Sequence, residues 1–403
     1  MIEMEKIWVN ISDVLFFQEG PGVRNTQYTT SGVKLLNVAN LVDGKVDLST
    51  SDRYISEGEA YGKYSHFLCD VGDFIVASSG IKVEYIDKKM GFIEESMLPL
   101  CMNTSTIRFK VLDEKQLRIR YFMYYLKSQH FKGQLAREIT GSAQLNYGPS
   151  HLKKMVMPLV DISIQDEIVR QMDKVQKIID MRQMELSHLD DLIKARFVEL
   201  FGNPVLNDKG WEQKSLGEIS SKIGSGATPR GGKEAYQENG ITLIRSKNVY
   251  NGQFEYKDLA HISDEQAEKL DNVTIEENDV LLNITGASVA RCCVVPSEIL
   301  PARVNQHVCI IRCKDCIIPE FLNKLLIDDN YQYLLWSIAG SGATREAITK
   351  QQVENLQIIL PPLVLQNQFM EFCNQVDKSK VAAQKMLEEA QTLFNSLMQE
   401  YFG

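Results

Sequence analysis

The sequence predicts an α+β protein in which two pseudo-symmetric α/β domains are separated by a pair of long antiparallel coiled-coil helices. Three observations carry this. The chain ends Q-E-Y-F-G at 399–403 and reads V-E-L-F-G at 198–202, an offset of 201 residues that holds without a gap from Leu152/Val353 to the end. Such self-similarity is tested before any motif, because it decides the architecture. Residues 161–201 and 363–402 contain neither Gly nor Pro, whereas the segments before them mix short β-rich runs with Asp-Gly and Asn-Gly turns.

The repeat extends upstream with small insertions. K-L-L-N-V-A-N-L-V-D-G-K at 34–45 matches T-L-I-R-S-K-N-V-Y-N-G-Q at 242–253, and D-V-G-D-F-I-V-A-S-S-G at 70–80 matches E-E-N-D-V-L-L-N-I-T-G at 276–286. The expected organisation is a domain at 1–162, a helix at 163–202, a second domain at 203–362 and a second helix at 363–403.

In the first helix the apolar seam runs Ile168, Met172, Val175, Ile179, Leu186, Leu189, Ile193 and Leu200, interrupted by Arg182 and Arg196. The second seam is Phe369, Cys373, Val376, Ala383, Leu387, Ala390, Phe394, Leu397 and Tyr401, with Lys380 its one charged member. Ser163 with Asp166 offers a capping box, Pro362 suits the start of the second helix, and Gly202 and Gly403 are stop residues. An antiparallel pairing of the two helices predicts an Arg196–Glu371 ion pair that fixes register, against snorkelling of Arg196 to solvent.

Composition excludes several classes. Hydrophobic residues at 44% and charged residues at 24% are ordinary globular values. The first residues have no signal-peptide apolar core, and no run is long enough to span a membrane, so a cytoplasmic protein is expected. Eight cysteines lie mostly in strand-like runs and read as reduced thiols; Cys313-Lys-Asp-Cys316 has half a zinc-site spacing, but no second pair follows. No Walker A, H-E-x-x-H or G-x-S-x-G motif occurs, and Asn203-Pro204-Val205-Leu206 is not an aminomethyltransferase site. The chain reads as one that binds and positions rather than catalyses.

The net charge of −9 argues against a polyanionic partner only if charge is spread evenly. It is not. Residues 115–160 hold Lys115, Arg118, Arg120, Lys127, Lys132, Arg137, Lys153 and Lys154 against the single acid Glu138. Cations hold phosphates, and amide or hydroxyl side chains read base edges. Candidate DNA contacts in the first unit are Arg24 and the loop residues Gln144, Asn146 and Tyr147. In the second unit the Gly-rich segment 221–233 supplies Lys222, Ser225, Thr228, Arg230 and Lys233. Arg245, Lys247 and Asn248 follow, then Arg303, Asn305 and Gln306 ahead of His307, then Thr344 and Arg345. Convergence of these segments on one face is the expectation. The competing reading is a coiled-coil scaffold whose end domains bind proteins.

The order and duplication of S-G-A-T-P (225–229), I-T-L-I-R-S-K-N-V (241–249), N-D-V-L-L-N-I-T-G (278–286) and L-Q-I-I-L-P-P-L-V-L-Q (356–366) resemble the specificity subunits of type I restriction–modification systems. The first unit carries K-L-L-N-V-A-N (34–40), G-S-A-Q-L-N (141–146) and M-V-M-P-L-V-D-I-S-I-Q (155–165), with Val160-Asp161 where the second has Pro361-Pro362. The second in turn lacks the G-S-A-Q-x-N form and reads Gly-Ala-Thr-Arg-Glu-Ala. The resemblance implies two target-recognition domains, each reading one half of a split target in double-stranded DNA, with the helices setting the gap between halves. It further implies two methyltransferase (M) subunits acting at adenine N6 and restriction (R) subunits as partners. S-adenosylmethionine, ATP and Mg2+ would sit on those partners, and no cofactor, metal or catalytic residue on this chain.

Overall fold

The computed structural model describes residues 5–139, 146–228, 236–340 and 346–403. It divides into two compact units, Met1–Gln183 with Lys385–Gly403, and Met184–Gln384. Both 40-residue helices, Ile162–Phe201 and Leu363–Phe402, are cut by this division, because each end of each helix packs into the core of a different unit.

The first unit is built on an antiparallel sheet in the order Leu15–Glu19, Thr106–Val111, Phe74–Ala77, Met90–Phe92. A smaller sheet sets Val33–Leu36 between Tyr54–Ile55 and Leu100–Met102, the latter pair parallel. Strand Ile7–Asn10 pairs with Val156–Leu159, which leads directly into the long helix. The hairpin Leu41–Val42/Lys45–Val46 turns on Asp43 and Gly44, both at positive φ, the backbone a two-residue turn between right-twisted strands requires.

The second unit repeats every one of these pieces. Its four-stranded sheet runs Ser220–Ser225, Val308–Cys313, Val280–Asn283, Cys292–Val294. Its three-stranded sheet places Ile241–Ile244 between Ala260–Ile262 and Ala302–Val304, again with one parallel pair, and Gln213–Ser215 pairs with Gln357–Ile359. The duplication read from sequence is therefore a duplication of topology.

Within each unit the helix segments run antiparallel. In the second unit Asp190 meets Lys380 at 2.6 Å while Phe197 meets Phe369 with ring centroids 5.5 Å apart, so numbers rise along one helix as they fall along the other. In the first, the Tyr401 hydroxyl donates to Gln171 Oε1 at 2.6 Å. Ile168, Met172, Val175, Ile179, Phe394 and Tyr401 are buried in the first core, and Ile193, Phe369 and Val376 in the second.

Near its end the first helix departs from the expected seam. Phe197 and Phe201 are buried, whereas Leu186, Leu189 and Leu200 are half-buried. A straight helix drifts against a 3.5-residue repeat, and here the buried face follows the steps 193, 197, 201 because it packs on Phe321 of its own unit rather than on a partner helix alone. Leu387 and Leu397 are likewise half-buried. Arg196 does not pair with Glu371. It bonds Glu199 on its own helix at 2.7 Å and lies over the Phe372 ring, so its charge stays at the rim. Ser163 lies inside the helix, and the Asp161 carbonyl takes the first N–H groups, those of Ile164 and Gln165. Gly202 stops the helix at φ 73°. Among the described residues no helix is long and apolar enough to cross a membrane.

Candidate nucleic-acid interface

Of the residues expected to converge in the second unit, Lys247 lines an open groove of ≈ 1000 Å³, and Thr228 and Gln306 reach it through His307. The strand Val280–Asn283 ends in Thr285 and Gly286, the latter at φ 74°, and the chain folds back so that Thr285 bridges Ala347. The start of Val308–Cys313 brings His307 alongside. A polar chain then crosses the rim: Thr228 donates to Gln306 Oε1, Gln306 Nε2 lies 3.1 Å from His307 Nε2, and His307 Nδ1 lies 2.5 Å from Thr285 Oγ1. The His307 ring thus joins Gln306 on one side to Thr285 on the other.

Two cations line the same groove. Lys247 is held by Asp258 at 2.7 Å, a contact that also lowers the Asp258 pKa below the ordinary carboxylate range. Arg291 lies over the face of Tyr250, 4.4 Å from its centroid, and has no carboxylate partner among the described residues. Glu346 lines the opposite rim.

The first unit has a groove at the equivalent place, ≈ 550 Å³, lined by Asp43, Gly80, Ile81, Tyr85 and the lysines Lys82, Lys88 and Lys89. Gly80 sits at φ 77°, as Gly286 does in its twin, and Ser79 bridges Asn146 as Thr285 bridges Ala347. Asn146 is exposed at this edge. None of the three lysines has an ion pair among the described residues.

Other expected contacts are placed elsewhere. Tyr147 is 1% exposed and fills the first core, where burial pushes its hydroxyl pKa upward. Asn248 is fully buried: its Oδ1 accepts the Arg245 N–H at 3.1 Å and its amide donates to the Glu255 carbonyl at 2.9 Å, closing a turn as Asn40 does in the first unit. Arg303 donates to the carbonyls of Ala267 and Ala302, and Asn305 accepts from the His307 N–H. These side chains spend their hydrogen bonds on the domain's own backbone, so they shape the site instead of touching a ligand. Arg245 lies over Tyr236 and donates to the Asp258 carbonyl. Lys222 and Ser225 are half-buried in a strand beside Val308–Cys313, and Arg24 is exposed in a separate loop near Gln27. Gln144, Arg230, Lys233, Thr344 and Arg345 lie outside the described residues.

Four of the eight cations in the run 115–160 are paired with carboxylates. Arg118 pairs with Asp166 at 2.7 Å, Arg120 with Asp173 at 2.6 Å, Lys132 with Asp87 at 3.2 Å and Lys154 with Glu138 at 3.0 Å. Lys127 is drawn over the rings of Tyr124 and Phe394, where burial lowers its pKa. Counting charges along the chain could not show this, because the partners Asp166 and Asp173 stand on the long helix. The lysines after Gly80 and Arg291 after Gly286 were not singled out from sequence. The usable signal is the aligned glycine, which marks where each repeat opens its groove.

The model of the type I restriction modification DNA specificity domain matches residues 25–189 and again 208–390. The chain therefore belongs to that family, with one copy of the domain in each repeat. Among known relatives, a putative type I restriction enzyme MjaX specificity subunit from Methanocaldococcus jannaschii is 22% identical over 82% of this chain and 77% of its own length. The MjaVIII specificity subunit of the same organism is 22% identical over 47% of this chain, which spans 44% of that relative. The StySPI specificity subunit of Salmonella potsdam is 21% identical over 71% of this chain and 64% of its own length. Two solved structures share the fold along the whole chain. The type I restriction–modification S subunit from M. genitalium has a TM-score of 0.57 at 14% identity, covering 97% of that chain. A chain from a study of type I R-M complex assembly and conformational transition has 0.59 at 17% identity, covering 99%.

Proposed function

We propose that this protein is the sequence-reading subunit of a type I restriction–modification complex, each unit recognising one half of a split target in double-stranded DNA. The observation that carries it is the pair of equivalent grooves, each opened by a positive-φ glycine and lined by basic side chains, of which Lys82, Lys88, Lys89 and Arg291 have no carboxylate partner among the described residues. Such grooves suit a polyanion even though the chain is acidic overall, because binding follows the local field. In this reading the chain performs no chemistry and works in the cytoplasm. Methyltransferase subunits carrying S-adenosylmethionine modify adenine N6, and restriction subunits use ATP and Mg2+. The test is single-molecule methylation mapping of the source cell's DNA with the gene intact and deleted. Loss of N6-methyladenine at one split motif is the expected result. Retention of every such motif after deletion would point to the scaffold role.

A further inference from the structure

The two grooves occupy the same place in their units but present different chemistry. The first offers three ammonium groups, Lys82, Lys88 and Lys89, the Lys88 nitrogen 6.0 Å from the centroid of Tyr85. An ammonium is a compact point charge with rotatable donors, suited to phosphate oxygens and poorly suited to discriminating planar base edges. The second offers one guanidinium whose attitude is already set: Arg291 lies on the Tyr250 face, and that stacking lowers the entropy lost when its fork makes two hydrogen bonds. Lys247, the other cation there, is occupied by Asp258. Each groove also has one carboxylate in its lining, Asp43 in the first and Glu346 in the second.

The remaining polar groups agree. Thr285, bonded to His307, lines the groove with a hydroxyl that can donate or accept. The groove thus holds the Arg291 fork and the Thr285 hydroxyl in one lining. In the major groove, guanine is the base that shows two acceptors, N7 and O6, to a bidentate arginine, whereas adenine pairs an acceptor with a donor.

Resting on the DNA-reading role above, we infer that Arg291, seated on Tyr250, is a specificity-determining residue that reads a guanine in the half-site of the second unit, while Lys82, Lys88 and Lys89 grip backbone phosphates for the first. The two kinds of contact separate by experiment, since base contacts change which sequence is bound and phosphate contacts change how strongly and how salt-sensitively any sequence is bound.

The test uses the full chain, tagged and isolated from its source cell with whatever subunits accompany it, and equilibrium selection from a random duplex library at two salt concentrations. The wild type is expected to enrich a split motif with at least one invariant guanine. Arg291→Lys keeps the charge and loses the fork; it is expected to relax that one guanine roughly tenfold and leave other positions unchanged. Arg291→Ala should do the same, and a thermal melt matching the wild type confirms that the fold persists. The triple change K82A/K88A/K89A should weaken binding to all sequences, with the motif unchanged, and flatten the salt dependence by roughly two to three units of log–log slope. Unaltered guanine preference in both Arg291 variants, or a shifted motif in the triple variant, overturns the assignment. A wild-type complex that enriches no motif overturns the DNA-reading role itself.

Discussion

Gln165 and Gln366 make the same three hydrogen bonds in their two units. Gln165 Oε1 accepts the Arg118 N–H at 2.9 Å, and its amide donates to the Gln116 and Val160 carbonyls at 2.8 Å each. Gln366 Oε1 accepts the Ile318 N–H at 2.9 Å, and its amide donates to the Pro361 and Cys316 carbonyls at 2.8 and 3.4 Å. Both side chains are fully buried. Each pins the first turn of a long helix to the loop before a core helix of its own unit.

Removing either amide leaves a buried N–H and buried carbonyls unpaired. Gln366→Ala and Gln165→Ala are each expected to cost about 2–3 kcal/mol, read from urea midpoints. A loss below about 0.5 kcal/mol would show that water replaces the amide without penalty.

A second shared device lies in the sheets. Arg312 grips the buried Asp279 through two bonds of 2.8 Å, and Arg108 holds the buried Asp73 at 3.0 Å. Cutting one partner strands a charge, so Asp279→Ala is expected to cost about 3–5 kcal/mol. The double variant Asp279→Leu with Arg312→Met should recover most of that loss. A double variant as unstable as the single one would mean the pair contributes geometry that packing cannot replace.

Aromatic anchors give a unit-specific test. Phe201 packs on Phe321 and Phe369 with centroids 5.0 and 5.5 Å away, and Phe402 on Tyr121 at 5.2 Å. Phe201→Ala and Phe402→Ala each create a core cavity worth about 3–5 kcal/mol. Hydrogen exchange should show protection lost mainly in the second unit for Phe201→Ala and in the first for Phe402→Ala. Identical exchange maps for the two variants would refute separate cores.

The thiols set an alkaline limit. All eight cysteines are free, and burial pushes Cys69, Cys293 and Cys309 up to about 12. An unfolded thiol ionises near pH 8.5, so between these values the native state keeps protons that the unfolded state releases. This contribution is fully present below about pH 8.5 and is lost as pH rises toward 12, at roughly 1–2 kcal/mol per thiol by pH 10. Urea midpoints at pH 8 and 10 should fall less in Cys309→Ala than in the wild type. Equal falls would assign the loss to other groups.

The sequence by itself determined the duplication, the two long helices and the alternation of β-rich domain with helix. Those features rest on periodicity and on where Gly and Pro stand, which are local properties of a chain. It also marked Lys247, which lines the second groove, and Thr228 and Gln306, which reach it through His307. Packing alone turns Asn248, Arg303 and Asn305 inward, puts Phe197 and Phe201 in the core in place of Leu200, and pairs Arg118 and Arg120 of the basic run with helix carboxylates. It likewise leaves Lys82, Lys88, Lys89 and Arg291 without a carboxylate partner among the described residues. The physical reason is the same in each case: whether a polar side chain is available depends on partners far away in sequence, and a burial face depends on what packs against it.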